Sequence, residues 1–161
     1  MVDVDLGDPA TQTKVLRYIH ENNALVVIMA PSCRAIGPPS NLNYSLNPEG
    51  WGESFRKDRP HLEFCAKVAL IQGRKGNFWF VETAYPTWLW TLQGWDILDQ
   101  LPTTIKEVIH QCMLGRRGSS GLLVKKPTEV SSNASEMIEP FRGLKCNGRH
   151  QHQQMWGNPK E

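Results

Sequence analysis

The stretch Ala24-Leu25-Val26-Val27-Ile28-Met29-Ala30-Pro31-Ser32-Cys33-Arg34 decides the reading of the fold. Seven apolar residues run without a polar interruption to a proline, and a thiol and a cation follow. Seven residues suit a strand better than a helix, and an apolar run with no alternation predicts a strand buried on both faces, as in a parallel sheet. Pro31 cannot donate to a sheet ladder, so the strand stops there. The residues just beyond it are expected at the carboxyl end of a central strand, where open α/β sheets bind ligands. Cys33 is thereby placed where chemistry is expected.

Upstream, Asp8-Pro9 carries a helix-start signal, a capping carboxylate followed by a proline suited to the first helical position. Val15, Leu16 and Ile19 give that helix an apolar face to about Glu21, and Asn22-Asn23 ends it. Asp3 to Leu6 reads as a short strand or the frayed remainder of one. Downstream, Arg34 to Gly52 reads as a long loop rich in Gly, Pro, Ser and Asn, a lid or a disordered connection. Pro60 opens a second predicted helix through about Gln72, with Leu62, Cys65, Ala66, Ala69 and Leu70 inward. Cys65 is read as a core residue. Asn77 to Thr83 is a second apolar strand and contains Glu82. Strand, helix and strand make a parallel crossover unit, whose two carboxyl ends emerge on one sheet edge. Cys33 and Glu82 are therefore expected to face one pocket.

Between Tyr85 and Leu98 the chain is dense in aromatics, read as core packing ahead of a base-stacking platform. Thr104 to Cys112 alternates and is expected to be a strand near an edge. Gly115 to Gly121 is a turn with two arginines, and Leu122–Lys126 and Thr128–Ser131 read as short strands broken by Pro127. Ser132-Asn133 caps a short helix to about Phe141. This pattern predicts an α/β, Rossmann-like domain over residues 1–142, with a mostly parallel sheet flanked by helices. A polar Cys/His-containing tail over 143–161 either docks on the domain or is solvated.

A chain of 161 residues with a net charge of +2 is compatible with one domain, and the charge alone implies no polyanionic partner. The cations nevertheless cluster: Arg116, Arg117, Lys125, Lys126, Arg142, Lys145 and Arg149 all fall in the last third. This is either a solvated face or a polyanion surface. No apolar run approaches membrane-spanning length and the acidic start is unlike a secretion signal, so the expected setting is intracellular, nuclear or cytoplasmic, with no membrane partner. Four irregularly spaced cysteines do not suggest a disulfide framework; they suit thiols, catalytic groups or metal ligands.

Cys146-x-x-x-His150-x-His152 supplies three potential ligands in one short segment, and Cys112 can be the fourth. Thiolate and imidazole donors suit tetrahedral zinc. His20, His61 and His110 occur elsewhere in the chain, outside any cluster. The alternative is a solvated His-rich tail.

Ala30-Pro31-Ser32-Cys33-Arg34-Ala35-Ile36-Gly37 resembles the Pro-Cys nucleophile loop of DNA cytosine-5 methyltransferases. Phe80-Val81-Glu82-Thr83 resembles their Glu-Asn strand end, and Arg116-Arg117 loosely resembles their later Arg-rich motif, in the same order from about Leu25 to Val124. Including Ser40-Asn41-Leu42-Asn43, Lys125-Lys126-Pro127-Thr128 and the Cys/His tail, the chain is similar to a degenerate, truncated methyltransferase-like domain of retrotransposon polyproteins in dinoflagellates and related protists. The resemblance implies Cys33 as nucleophile toward carbon 6 of a flipped cytosine, with Arg34 lowering the thiol pKa, and Glu82 as the base contact. It implies a nucleic-acid surface of Arg34, Ser40, Asn41, Arg116, Arg117, Lys125 and Lys126. Ser32 replaces a second proline of the family, and Thr83 replaces its asparagine. The Gly-rich turn that holds S-adenosylmethionine has no counterpart before Leu25; Asp5 and Asp8 are the remaining candidates for that cofactor.

Three functions follow. The first is a methyltransferase-related domain that binds nucleic acid, DNA in preference, within a retroelement-type protein and does not transfer methyl groups alone. The second is a cytosine-5 methyltransferase that uses Cys33 as nucleophile, active by itself or completed by a partner chain or another part of a polyprotein that supplies the S-adenosylmethionine half. The third is a zinc-stabilised protein-interaction module using the surface around Trp88 to Trp95.

Overall fold

The structure is a computed structural model that describes residues 5–153. The first helix, α1 (Pro9–Glu21), begins as expected: the Asp8 carboxylate accepts a hydrogen bond from the Thr11 backbone N–H at 2.7 Å. It ends at Asn22 and at Asn23, whose φ of 44° lies in the left-handed region that asparagine tolerates. The turn releases the chain into β1 (Val26–Met29). Of the predicted strand at Asp3 to Leu6, Asp3 and Val4 lie outside the described residues, and Asp5 and Leu6 belong to the turn before α1.

The segment expected to be a loop up to Gly52 is largely helical. It contains α2 (Ser40–Leu46), and α3 (Pro48–Arg74) starts well before Pro60. Asn47 is the cap, its side chain accepting from Gly50 N–H at 3.0 Å, and Pro48 takes the first helical position. Pro60 lies inside this helix, so its helix-start signal misled. The buried residues Leu62, Phe64, Cys65, Ala66, Val68 and Ala69 follow it, and their burial outweighs the cost of one missing hydrogen bond. At the far end, Gln72 is fully buried and donates to the Ala24 carbonyl at 2.8 Å, tying α3 to the start of β1.

Among the described residues the sheet has four strands in the order β1-β2-β4-β3, completed by β2 (Phe78–Ala84), β3 (Ile105–His110) and β4 (Pro127–Ser132). β1 and β2 are parallel with α3 between them, so the predicted crossover unit is present. β2 pairs with β4, and β4 with β3, antiparallel. The expectation of a mostly parallel sheet is therefore corrected: the fold is mixed α/β with mostly antiparallel pairing. Leu122–Lys126 forms no strand, and β4 begins at Pro127, where a missing N–H is tolerated.

β1 is an edge strand, not a central one. Ile28 is 72% exposed and Val26 is 38% exposed, while Met29 is buried. The uninterrupted apolar run predicted burial on both faces, yet no strand flanks its outer side among the described residues. β3, predicted nearer an edge from its alternation, forms the opposite edge.

Alternation along β2 splits the interior. Trp79 and Val81 face α3, α1 and α4 (Trp95–Gln100) in a large core with Met29, Leu62, Ala69, Leu89, Trp95 and Leu98. Phe80 faces the other way, toward Ile109, Val130, Ile138, Phe141 and Leu144 beneath α5 (Ser135–Ile138) and the 3-10 turn Glu139–Phe141. The aromatic stretch is core: Trp95 is fully buried and its indole N–H donates to the Leu62 carbonyl at 2.9 Å. Trp88 and Trp90 pack half-buried against the same core. Among the described residues no helix is long and apolar enough to cross a membrane.

Candidate functional site

β3 runs directly into the 3-10 turn Gln111–Leu114, which carries Cys112. The Cys/His segment returns to the same place. Leu144 packs in the smaller core and its carbonyl accepts from the His110 N–H at 2.9 Å. Two residues on, the Cys146 N–H donates to Nδ1 of His110 at 2.7 Å. The backbone of His152 bridges to Leu123, and the Gln153 N–H donates to the Leu123 carbonyl at 2.8 Å. The Gln153 side chain accepts from the Ser120 N–H at 3.0 Å. The segment expected as a tail is thus docked on the domain as far as Gln153; residues 154–161 lie outside the described residues.

The result is a Cys2His2 cluster that could hold a metal ion. One ligand atom each from Cys112, Cys146, His150 and His152 lies within 4.8 Å of the others. Cys146 Sγ is 3.5 Å from His150 Nε2 and 3.4 Å from His152 Nε2. Two donors on one tetrahedral ion, at metal–sulfur and metal–nitrogen lengths of ~2.3 and ~2.0 Å, lie about 3.6 Å apart, which the two Cys146–His separations match. The Gly148 N–H donates to Cys146 Sγ at 3.4 Å. Burial raises the Cys112 thiol pKa, and the Cys146 sulfur raises it further. Desolvation lowers the His152 pKa, helped by His150 and Lys125, which favours the neutral ring that a metal requires. A bound cation would reverse the balance at Cys112, since a coordinating thiol is deprotonated.

His110 also belongs to this site. Set aside as an isolated histidine, it positions Cys146 through its ring nitrogen. Desolvation lowers its pKa, with Lys125 and Lys145 acting in the same direction, which keeps Nδ1 available as an acceptor. The signal was its spacing: His110 and Cys112 are two apart at a strand end, with Gln111 between them.

A second feature lies behind the turn. A cavity of about 230 Å³ is lined by Phe80, Glu82, Ile109, Gln111, Leu114, Arg116, Thr128, Val130 and Phe141. Gln111 organises its polar end, donating to Thr128 Oγ1 at 2.8 Å and to Glu82 Oε1 at 3.3 Å while its carbonyl oxygen accepts from Arg116. Glu82 and Arg116 therefore share one cavity. Cys33 does not line it. The parallel register Met29↔Val81 brings the end of β1 and Glu82 to the same sheet edge. Beyond it, Cys33 Cβ and Ala84 Cβ both border the space beside Gly37, where an added Cβ would lie 3.3 and 3.5 Å from them.

Arg34, expected beside that thiol as an activating cation, is bound elsewhere. Its guanidinium pairs with buried Asp58 at 2.7 Å, and Ser32 Oγ donates to the same carboxylate at 2.9 Å. Asp58 raises the Arg34 pKa and offsets its charge. Ser40, expected at a nucleic-acid surface, is buried; its hydroxyl donates to the Ala35 carbonyl and accepts from the Trp51 indole at 2.7 Å. Asn41, Arg116, Arg117 and Lys125 are exposed, and Lys126 is half-buried. The Asp5 carboxylate accepts from the Gly7 N–H at 2.8 Å and Asp8 caps α1, so both are committed to local turns. Comparison with protein-family models, curated proteins and solved structures finds no match for this chain.

Proposed function

We propose that this chain is a nucleic-acid-binding domain related to cytosine-5 methyltransferases, with a structural zinc ion fastening its basic C-terminal segment. The observation that carries the reading is the convergence of Cys112, Cys146, His150 and His152 within 4.8 Å. A four-ligand set of two sulfurs and two nitrogens suits zinc and leaves no open position for substrate. Such a site holds structure, and part of its binding energy becomes folding energy of the segment it closes. Lys145 and Arg149 in this segment are exposed, as are Arg116, Arg117 and Lys125, and Lys125 and Lys145 both act on His110. A cationic surface of this kind contacts phosphates and binds with strong salt dependence.

Two measurements test this. Metal analysis of protein purified without chelator should give about one equivalent of zinc; less than about one-tenth overturns the metal reading. Fluorescence anisotropy with a DNA duplex should show binding that weakens with salt, and the double variant Lys125→Glu, Arg149→Glu should abolish most of it. Equal binding by the variant overturns the nucleic-acid reading.

One observation favours a second reading, in which a partner chain or another part of a polyprotein completes a methyltransferase. Glu82 and Arg116 share a cavity at the sheet edge to which β1 also delivers the Cys33 loop. A duplex containing 5-fluorocytosine, with S-adenosylmethionine and the candidate partner, should then trap a covalent adduct that Cys33→Ser abolishes. No adduct with any completing chain overturns this reading.

A further inference from the structure

Three consecutive residues, His110-Gln111-Cys112, serve two sites at once. The outer two engage the metal segment: His110 accepts from the Cys146 N–H at 2.7 Å, and Cys112 is one of the four candidate ligands. The middle one turns the other way. Gln111 holds Thr128 at 2.8 Å, holds Glu82 at 3.3 Å and accepts from Arg116. Its backbone is fixed as well, its N–H donating to the Lys126 carbonyl at 3.1 Å and its carbonyl accepting from the Arg116 N–H at 3.2 Å. Gln111 is the residue that joins the carboxylate and the guanidinium, both at the rim of the same cavity.

We infer that metal occupancy assembles the polar end of the Glu82 cavity, with Gln111 as the positioning residue between the two sites; this rests on the metal reading above. Cys112 lies in a single 3-10 turn, Gln111–Leu114, with poorer hydrogen-bond geometry than an α-helix and a left-handed glycine, Gly115, immediately after it. Beyond the two Gln111 backbone bonds this short turn has little rigidity of its own, and the hold at Cys112 is what a metal adds. Bound metal anchors it at Cys112 and, through Cys146 and His110, at the end of β3. With both neighbours held, the Gln111 side chain has one direction left, across β4 to Thr128 and Glu82. Without the metal the Cys112 end of the turn is released, and the Gln111 amide no longer bridges Glu82 to Arg116 persistently. The cavity then loses its ordered donor and acceptor set while its apolar wall of Phe80, Ile109, Val130 and Phe141 stays packed. Such coupling is reciprocal: if metal favours the Gln111 clamp, the clamp favours metal.

The test uses the full chain loaded with one equivalent of zinc, the same protein after EDTA, and Cys146→Ser. Side-chain amide resonances of Gln111 are followed by NMR, with backbone exchange at Val27 and Leu62 as a reference far from the metal. The expected result is a protected Gln111 amide in the zinc form, exchanging at least tenfold faster after chelation and in Cys146→Ser, with Val27 and Leu62 unchanged. Gln111→Leu, which removes no metal ligand, is expected to weaken zinc binding about fivefold. An unchanged Gln111 amide after zinc loss overturns the coupling and leaves the metal reading intact. Exchange rising equally at Val27 and Leu62 also overturns it, since the metal would then hold the whole fold. Failure to bind zinc at all overturns both.

Discussion

The backbone N–H of Cys146 donates to Nδ1 of His110 across 2.7 Å, joining residues 36 apart in the chain. This bond sets where the Cys146 sulfur sits, because it fixes the amide one atom from its Cα. It also requires an unprotonated Nδ1. Partners that hold metal ligands in place typically contribute 10–100-fold to metal affinity. His110→Phe should therefore weaken zinc binding by roughly that factor, although His110 is not itself a ligand. Competition against a chromophoric chelator measures it, and an affinity equal to wild type would remove His110 from the site.

The four cysteines should separate by reactivity. Cys65 is buried in α3, and burial pushes its thiol pKa up to about 12, so it stays a thiol at neutral pH. Cys33 is half-exposed. Iodoacetamide at neutral pH should alkylate Cys33 first and Cys65 only after denaturation. Cys112 and Cys146 should be protected in zinc-loaded protein and exposed to reagent by EDTA. Mass spectrometry of tryptic peptides reads the order, and early modification of Cys65 would contradict its place in the core.

Glu129 is buried on β4, with the Trp90 indole N–H donating to it and Lys106 lying 3.7 Å over the Trp90 ring. Desolvation raises its pKa; Trp90 and Lys106 act against that and Asp99 acts with it. A raised carboxyl pKa means the folded state holds the proton more tightly than the unfolded chain. The resulting stability is fully present below the ordinary glutamate range and is lost as pH rises through the raised value. Glu129→Gln keeps an acceptor for Trp90 and removes the titration. Urea midpoints of wild type should fall relative to Glu129→Gln as pH climbs through that window, and parallel curves would overturn the assignment.

Asp58 is 6% exposed and serves two partners in the Cys33 loop, Ser32 and Arg34. Arg34 is itself 61% exposed, so the ion pair is partly screened and contributes modestly. The larger loss in Asp58→Ala is the anchor between the loop and α3, a cost of about 1–3 kcal/mol. Chemical denaturation measures it. A change within about 0.5 kcal/mol, the range of ordinary surface substitutions, would show that the loop is held by Ile36 and Ala35 alone.

Local signals in the sequence determined the local structure. Asp8-Pro9 specified a helix start, the apolar runs before Pro31 and before Thr83 specified two strands, and a helix between them made the pair parallel. Each depends on neighbours a few residues away. The Cys/His spacing likewise made a four-ligand cluster of Cys112, Cys146, His150 and His152 legible, because ligands crowded in one segment need only one more from elsewhere. Tertiary structure decided what depends on which surfaces meet. An apolar run does not state whether a strand lies on its far side, so the run predicts a central strand where β1 is an edge. Pro60 signals a helix start by itself, and only the packing of the residues after it on the sheet shows a helix continuing through. The antiparallel pairing of β4 with both β2 and β3 joins segments about 20 to 50 residues apart and leaves no local trace. The roles of Asp58 and Gln111 were hidden for the same reason, since a polar side chain declares its chemistry in the sequence but not its partner.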